Sequence, residues 1–271
     1  MLNGYGIKLR HEYYDEILFH QNEIDWLEIL TENYLNIGGY HLDKLIEFSR
    51  IFPVTMHGVS MSLGGTDKLD YSYLKNVRNL AETIKPQIIS DHICVSKISG
   101  IYTHDLLPLP YTKESISNIV SRIKSVQDYL GCQIAIENVS SYLTYKSSKY
   151  TEWEFISEIT EQADCNILFD INNIYVSSKN HNFSPSDYIK NINLNRIVEI
   201  HIAGHSNNGD YLIDTHDMPV CNEVWDLYGT FCKLKPNTPL LLERDENLPE
   251  FNLLLDELSI AKGIANECKS T

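Results

Sequence analysis

Eight short apolar runs recur along the chain, and each is followed by a segment in which apolar residues return every three or four positions. Short apolar runs are typical of buried strands, and the 3–4 spacing is typical of helices that bury one face. The predicted strands are 4–9, 26–30, 54–56, 87–90, 133–136, 166–169, 197–200 and 239–242. The predicted helices are 12–20, 40–50, 71–84, 112–130, 151–163, 184–191, 220–234 and 250–265.

The segment 112–130 shows the helical pattern most clearly. Thr112 is typical of a residue that caps the start of a helix, and Gly131 is typical of one that ends it. The apolar stripe between them consists of Ile116, Ile119, Val120, Ile123 and Val126.

Strands that alternate with helices in this way predict a single (β/α)₈ barrel, the TIM barrel of the α/β class, as one domain over residues 1–271. The alternative is a doubly wound open sheet. That fold would favour a glycine-rich phosphate-binding loop after the first strand, but Gly4 and Gly6 lie within the predicted strand itself. We therefore expect the barrel, with its chemistry at the carboxyl ends of the strands.

Side chains of the types that bind metals follow most of the predicted strands. Because a barrel brings the carboxyl ends of its strands to one side, we expect these side chains to converge. A single histidine at a strand end is more often a hydrogen-bonded core group, but the whole set favours a metal site. The set comprises His57, His92, Glu137, Asp170, His201 and Glu243.

The loop after the seventh strand adds two further candidates. Asp214 and His216 are two positions apart, so both would point to the same side of an extended segment and could reach one ion. Taken alone, the two residues could equally be part of a turn. The amides of Asn33, Asn138, Asn172 and Asn173 would cap helices, or one would be a further ligand and the rest would support the ligands from behind.

The ligand types narrow the choice of metal. Imidazoles together with carboxylates suit iron, zinc or manganese. Six scattered cysteines without a CxxC pair argue against a structural zinc site. The candidates outnumber the ligands that one ion needs, so we expect a site with several ions and bridging carboxylates.

The charge of the chain excludes some partners. With 37 acidic and 22 basic residues, the net charge is −15, which repels phosphate backbones and disfavours nucleic-acid binding. The sequence has no long uncharged apolar stretch and no signal-peptide pattern at its start. We therefore expect a cytoplasmic protein that does not bind a membrane.

Seven segments are similar to the motifs of one known family. They are HGVSMSLGG (57–65), SDHICVS (90–96), HDLLPLPYT (104–112), IENVSSYL (136–143), LFDINNIYVSSKNHNF (168–183), EIHIAGHS (199–206) and LIDTHDMPVCNEVWDLY (212–228). Through them the chain resembles the multinuclear non-heme iron-dependent oxidative enzymes, long catalogued as a domain of unknown function. The similarity extends from Gly6 to Pro249.

The resemblance implies a barrel that holds two or three irons in mixed Fe(II) and Fe(III) states, with dioxygen as co-substrate. The implied reaction is the oxidation of cysteine in a ribosomally made precursor peptide. Relatives in methanobactin and bufferin biosynthesis form oxazolone and thioamide groups or thiooxazoles. Many relatives act with a separate protein that recognises the peptide leader, and we expect such a partner here because the barrel occupies nearly the whole chain.

The resemblance also implies roles for individual residues. Glu137 would bridge two irons, and Glu137, Asp170 and His201 would lie at the catalytic centre. The implied ligand sets are His57, His92 and Glu137 for the first iron, Glu137, Asp170, His201 and Glu243 for the second, and Asn173, Asp214 and His216 for a third, more labile iron.

The chain departs from the family pattern at two positions. Arg244 stands where many members have tryptophan, which adds a cation beside Glu243, and Asp217 stands where glycine is common. Two other classes of function remain open from the residues alone. They are a metal-dependent hydrolase or isomerase on the same barrel, such as an endonuclease or sugar isomerase, and a non-catalytic protein that binds a metal or a peptide.

Overall fold

Strands form the centre of the computed structural model, which describes residues 2–36 and 38–269. In chain order they are β1 (Tyr5–Lys8), β2 (Trp26–Leu30), β3 (Val54–Gly58), β4 (Ile89–His92), β5 (Val95–Ile98), β6 (Ile101–Leu107), β7 (Ala135–Glu137), β8 (Asn166–Asp170), β9 (Ile197–Ile202), β10 (Ser206–Asn207), β11 (Leu212–Ile213) and β12 (Leu240–Leu242).

Helices follow most of the strands of the barrel. They are α1 (Tyr14–Phe19), α2 (Tyr40–Ser49), α3 (Tyr71–Ile84), α4 (Lys113–Leu130), α5 (Glu152–Ala163), α6 (Ile171–His181), α7 (Pro185–Asn191), α8 (Asn222–Leu234) and α9 (Phe251–Lys269). Each predicted helix has a counterpart, and the helix predicted at 71–84 has the same bounds as α3. None of the described helices has the length and apolar composition needed to cross a membrane.

Eight parallel strands close into a barrel in the order β1-β12-β9-β8-β7-β4-β3-β2. This order confirms the predicted (β/α)₈ fold and excludes the doubly wound open sheet. The other strands form two antiparallel pairs, β5 with β6 and β10 with β11. Both pairs follow barrel strands as excursions of the connecting loops.

The contacts of the chain group into two compact units. The first unit comprises Met1–Leu27, Ser140–Tyr142 and Phe169–Thr271, and the second comprises Glu28–Val139 and Leu143–Leu168. The single domain expected over the whole chain stays a prediction.

Local hydrogen bonds explain where the helices of the second unit begin and end. Thr112 accepts from the amide of Ser115 at 3.3 Å, and Gly131 adopts a left-handed conformation with φ of 77°, so both predicted ends of α4 are confirmed. Thr151 and Glu154 form a reciprocal capping box at the start of α5.

Helix α6 was not predicted from the sequence. No helix was predicted between the strand at 166–169 and the helix at 184–191, but Ile171–His181 is helical. Its residues 171–178 are all buried, so apolar and polar residues do not separate into two faces. A helix buried on nearly all sides lacks the amphipathic stripe on which the prediction depended.

Candidate metal centre

Three candidate ligands of the second unit converge at the ends of neighbouring strands. His57 lies in β3, His92 ends β4 and Glu137 ends β7. The parallel register pairs His92 directly with Glu137. Glu137 Oε2 lies 2.9 Å from Nε2 of His57 and 2.9 Å from Nε2 of His92. All three side chains are buried.

Hydrogen bonds on the far side of each ring determine how the two imidazoles face Glu137. His92 Nδ1 lies 3.0 Å from the carbonyl oxygen of Gly58, which can only accept, so Nδ1 carries the proton. His57 Nδ1 lies 2.8 Å from Ser90 Oγ. Nε2 of His92 is therefore the nitrogen that faces the Glu137 carboxylate. A metal-binding histidine has the same arrangement, with the far nitrogen donating to a fixed acceptor and the near nitrogen on the ion.

The charges in this group depend on each other. Burial by itself would lower the pKa of His92, but the Glu137 carboxylate raises it to about 9. Burial would raise the pKa of Glu137, but His92 and His57 hold it well below its usual value. Glu137 is therefore anionic at neutral pH and suits a divalent cation in place of the protons.

The motif HGVSMSLGG forms the loop that follows His57. Ser62 has a φ of 49°, and its Oγ accepts from the amides of Ser96 and Lys97, both at 3.1 Å. Arg122 on α4 donates to the Ser62 carbonyl at 3.0 Å and to the Asp67 carbonyl at 2.6 Å. These hydrogen bonds connect the loop to the β5–β6 pair and to α4.

A second group of acids lies beside His92. Asp91 Oδ2 accepts from the amide of Met61 at 3.1 Å, and Glu32 Oε1 accepts from the Tyr73 hydroxyl at 2.7 Å. A Cβ atom on Gly58 would lie 2.7 Å from Asp91 Oδ2, so a larger residue there would displace the Asp91 carboxylate. Burial and the nearby Glu32 carboxylate raise the pKa of Asp91 to about 7.

The first unit contains its own group of three buried candidates. Asp170 ends β8, His201 lies in β9 and Glu243 follows β12. One ligand atom from each lies within 4.8 Å of the others. His201 Nδ1 lies 3.1 Å from Glu243 Oε2. Two buried carboxylates and an imidazole at this spacing fit a divalent cation.

Asp214 and His216 also come together, as expected. Asp214 Oδ1 lies 2.6 Å from His216 Nε2. The expected reason was wrong, because His216 has a φ of 50° and the segment is not extended there. The side chains meet because the chain turns at His216, which is a left-handed conformation uncommon for residues other than glycine.

The asparagines after β8 have distinct environments. Asp170 caps α6 by accepting from the amide of Asn173 at 2.5 Å. Asn172 Nδ2 donates to Asp214 Oδ1 at 2.7 Å, and Asn172 Oδ1 lies 2.8 Å from His205 Nδ1. Both asparagine side chains are buried. Asn172 therefore orients the loop acid, and the role of Asn173 as a ligand stays a prediction.

The sequence interpretation missed two cations that reach this region, one at the end of β1 and one just after it. Lys8 contacts Glu243 and lies 2.7 Å from Asp245 Oδ1, and Arg10 lies 3.1 Å from the same oxygen. A lysine inside the predicted strand 4–9 was a usable signal, but its acidic partners lie more than 230 positions away.

The sequence suggested that Arg244 places a positive charge beside Glu243, but the structure directs this charge elsewhere. Its guanidinium is buried and pairs with Glu257 on α9 at 2.7 Å. Asp217, the second departure from the family pattern, accepts from Ser206 Oγ at 3.2 Å and from Thr215. Arg244 and Asp217 therefore make contacts that stabilise the segments around the loop that carries Asp214 and His216.

Two further buried acids were missed within strands. Glu28 on β2 accepts from Thr55 Oγ1 at 3.3 Å. Glu199 on β9 has an Oε1 atom 3.7 Å from His201 Nε2. A lone glutamate inside an apolar strand was the signal, because such a residue is rarely buried unless it is paired.

Comparison with known proteins gives the family. The sequence matches the family described as RiPP precursor modification enzyme MbnB/TglH/ChrH over residues 4–266. The chain belongs to this family. A UPF0276 protein of Anaeromyxobacter sp. (strain Fw109-5) is 43% identical over 256 residues, which cover 94% of this chain and 90% of the relative. A UPF0276 protein of Acaryochloris marina (strain MBIC 11017) is also 43% identical over 256 residues and covers 94% and 92%.

Solved structures with a similar fold are more distant. A D-tagatose 3-epimerase-like protein is 16% identical, with a TM-score of 0.63 over 98% of this chain and 97% of that chain. Endonuclease IV from Thermus thermophilus is 12% identical, with a TM-score of 0.64 over 97% and 99%. At these identities the likeness establishes the fold alone.

Membership of the family confirms the resemblance drawn from the motifs. It makes a precursor peptide the class of substrate on which such enzymes act. The identity of the metal, the bridging role of Glu137 and the assignment of individual ligands stay predictions.

Proposed function

We propose that this protein oxidises cysteine residues of a ribosomally made precursor peptide, with iron and dioxygen. The observation that carries the proposal is the family match over residues 4–266, which gives the substrate class. The buried groups of imidazoles and carboxylates in each unit support a metal-dependent reaction. The products that the resemblance implies are an oxazolone and thioamide, a thiooxazole, or a related group.

The proposed ligands follow the sequence prediction. Within the second unit, His57, His92 and Glu137 would hold one iron. Within the first unit, Asp170, His201 and Glu243 would hold another, and the loop ligands Asn173, Asp214 and His216 a third. We assign catalytic roles to Glu137 in the second unit and to Asp170 and His201 in the first.

Bound iron would supply the redox chemistry with dioxygen and a soft-ligand position for the substrate thiolate. The chain's own contribution is ligation and orientation. His92 keeps Nε2 directed at its ion through the hydrogen bond from Nδ1 to Gly58. Asp170 and His201 are fully buried, so their ion would be shielded from bulk water and from stray oxidation.

Exposed aromatic residues next to the loop ligands support a peptide as substrate. Tyr142 and Tyr211 are 49% and 45% exposed, and their rings lie 6.5 Å apart at 79°. The Tyr142 hydroxyl accepts from the amide of Asp214 at 3.0 Å. These rings offer apolar surface beside the loop site, and we assign the substrate side chains that flank the cysteine to it.

A separate partner that holds the peptide leader is part of the proposal. A partner would raise the effective concentration of the core cysteine, up to about millimolar with a short flexible link. Without it, capture would depend on the contact between thiolate and iron. We expect efficient modification only when peptide, partner and this chain are present together.

The test has two stages. The first is anaerobic purification with quantification of iron, followed by oxygen uptake in the presence of a cysteine peptide. The second is co-expression with the precursor encoded nearby, with and without the partner, read by peptide mass. His57→Ala should abolish modification, and His41→Ala, at an exposed histidine on α2, should leave it unchanged.

The outcomes separate the three classes of function. Bound iron with oxygen uptake and an oxidised cysteine supports the proposal. A chain that holds only zinc and stays inactive after iron reconstitution contradicts it and favours a hydrolase or isomerase. Iron or peptide binding without turnover under aerobic conditions favours a non-catalytic binding protein.

A further inference from the structure

The imidazole of His216 is held from both sides by carboxylates. Nε2 faces Asp214 Oδ1 at 2.6 Å, and Nδ1 faces Asp245 Oδ2 at 3.2 Å. Glu243 Oε2 is the next acceptor, 3.3 Å from Nδ1. A ring with a carboxylate at each nitrogen can present one nitrogen to a metal while the other donates to a fixed acceptor.

Asp245 holds the backbone of His216 as well as its ring. The amide of Asp245 donates to the carbonyl oxygen of His216 at 2.9 Å. His216 adopts a left-handed conformation, which a residue with a side chain keeps only when its surroundings impose it. The backbone contact from Asp245 is one such restraint, so the same residue fixes both the position and the direction of the ring.

Asp245 is in turn held by two cations from β1 and its extension. Its Oδ1 lies 2.7 Å from Lys8 Nζ and 3.1 Å from Arg10, while Oδ2 is the oxygen that faces His216. Arg10 also donates to the carbonyl of Asp245. The carboxylate thus has one oxygen for the cations and one for the imidazole.

We propose that Asp245 is a positioning residue that keeps Nε2 of His216 directed at an ion shared with Asp214, and that Lys8 and Arg10 hold Asp245 for this purpose. The inference rests on the proposed function, because it concerns the loop-held ion. It goes further by explaining how a ligand on a loop attains the fixed orientation that strands give to the other ligands.

Asp214, the other proposed ligand of this ion, is also held in place by its neighbours. Asp214 accepts from Asn172 Nδ2 at 2.7 Å, and its amide donates to the Tyr142 hydroxyl at 3.0 Å. Both proposed ligands of the ion are therefore oriented by neighbours. An alternative arrangement places the ion on Nδ1, with Glu243 and Asp245 as direct ligands, since these three also lie within 4.8 Å of one another. The two arrangements predict opposite rankings of the variants.

The test is anaerobic equilibrium dialysis of the whole metal-free chain against Fe²⁺, with iron analysis and the thermal unfolding midpoint measured for each variant. Asp214→Asn should remove one equivalent of iron. Asp245→Asn should keep that equivalent but weaken its binding about 10- to 100-fold, the range found when partners behind a metal ligand are lost. The more tightly bound iron should be unchanged in both.

Asp210→Asn is the matched control, because it makes the same chemical change at an exposed position of the same loop. Asp210 has no role in the proposal. Its iron affinity should equal that of the unmodified chain. Lys8→Met should lower the affinity for the loop-held iron by a smaller factor than Asp245→Asn. Lys8→Arg keeps the positive charge and should bind this iron as tightly as the unmodified chain. These two variants test the inference if Asp245→Asn does not fold.

Two results would overturn the inference while leaving the proposed function intact. One is an Asp245→Asn variant that binds iron as tightly as the Asp210→Asn control. The other is the reversed ranking, in which Asp245→Asn loses the ion and Asp214→Asn only weakens it, since that makes Asp245 a ligand. An unmodified chain that binds no iron would overturn the proposed function and this inference together.

Discussion

At the scale of single residues, the site depends on how each ligand is oriented by its neighbours. Ser90 and the Gly58 carbonyl lie behind the two histidines of the second unit. Asp245 lies behind His216 in the first unit. The types of ligand could be predicted from the sequence, because His, Asp and Glu at strand ends are recognisable. The orienting groups could not, because backbone carbonyls and distant acids leave no local pattern.

Glu137→Gln tests the central carboxylate. The change keeps the size of the side chain but removes the charge that offsets the bound cation. We expect loss of activity and of bound iron, and the bridging role implied by the resemblance predicts a loss of more than one equivalent. Iron analysis of the anaerobic protein gives the number, with Glu161→Gln on α5 as the matched exposed control. Full iron content in Glu137→Gln would contradict its role as a ligand.

Gly204→Ala tests a close approach in the loop that follows β9. A Cβ atom on Gly204 would lie 1.9 Å from the carbonyl oxygen of Met218, so the backbone must move. We expect the free energy of unfolding to fall by about 1–3 kcal/mol, as for other overpacked sites. Urea unfolding measures this.

Gly263→Ala is the control for that substitution. A Cβ atom there meets nothing within 4 Å and the residue lies within α9, so alanine should raise the free energy of unfolding by about 0.5–1 kcal/mol. If both substitutions changed the free energy of unfolding equally, the contact with Met218 would not prevent a side chain at position 204.

At the scale of elements, helix ends were predicted best where the signal lies in a few adjacent residues. The start and end of α4 depend on Thr112 and Gly131, which act on their own neighbours. Helix α6 and the β5–β6 pair were missed, because burial on all sides removes the periodicity of a helix and short exposed strands have little of it.

Asp70→Asn tests the link between α3 and the β5–β6 pair. Asp70 caps α3 and lies 2.8 Å from Lys97 Nζ, and the hydrogen bond from Lys97 lowers the pKa of Asp70 below 3.8. A lowered pKa in the folded state adds stability above the ordinary pKa, and this is lost as the pH falls through the folded value. Asparagine keeps the cap and removes the ion pair.

We therefore expect Asp70→Asn to reduce the loss of stability on acidification below about pH 4 and to change the rest of the pH profile little. Urea unfolding at a series of pH values measures it. Asp226→Asn, at an exposed position on α8, is the control and should leave the loss of stability at low pH unchanged. If the free energy of unfolding of Asp70→Asn fell as steeply at low pH as that of the unmodified chain, the assigned ion pair would be contradicted.

At the scale of the whole molecule, the net charge of −15 includes several carboxylates that are buried at the proposed metal sites. Cations that bind only the folded chain offset part of this charge. Metal binding is therefore expected to contribute to stability as well as to chemistry.

Removal of iron tests this contribution. At a free Fe²⁺ concentration about 100 times the dissociation constant, each site should add about 2.7 kcal/mol to the free energy of unfolding. The unfolding midpoint should rise with Fe²⁺ under anaerobic conditions and fall again with a chelator. Mg²⁺, which prefers oxygen ligands in regular octahedral geometry, should have a much smaller effect. A midpoint that does not depend on Fe²⁺ would contradict iron sites of this kind.

The sequence by itself determined the alternation of strands and helices, the barrel that follows from it, and the residue types at the strand ends. These features depend on local periodicity and on adjacent residues. Only the tertiary structure decided which nitrogen of each imidazole faces a carboxylate, why Asp214 and His216 meet, and that Lys8 reaches Asp245 across 237 positions. Such contacts arise when distant segments pack together, and the spacing of residues along the chain carries no record of them.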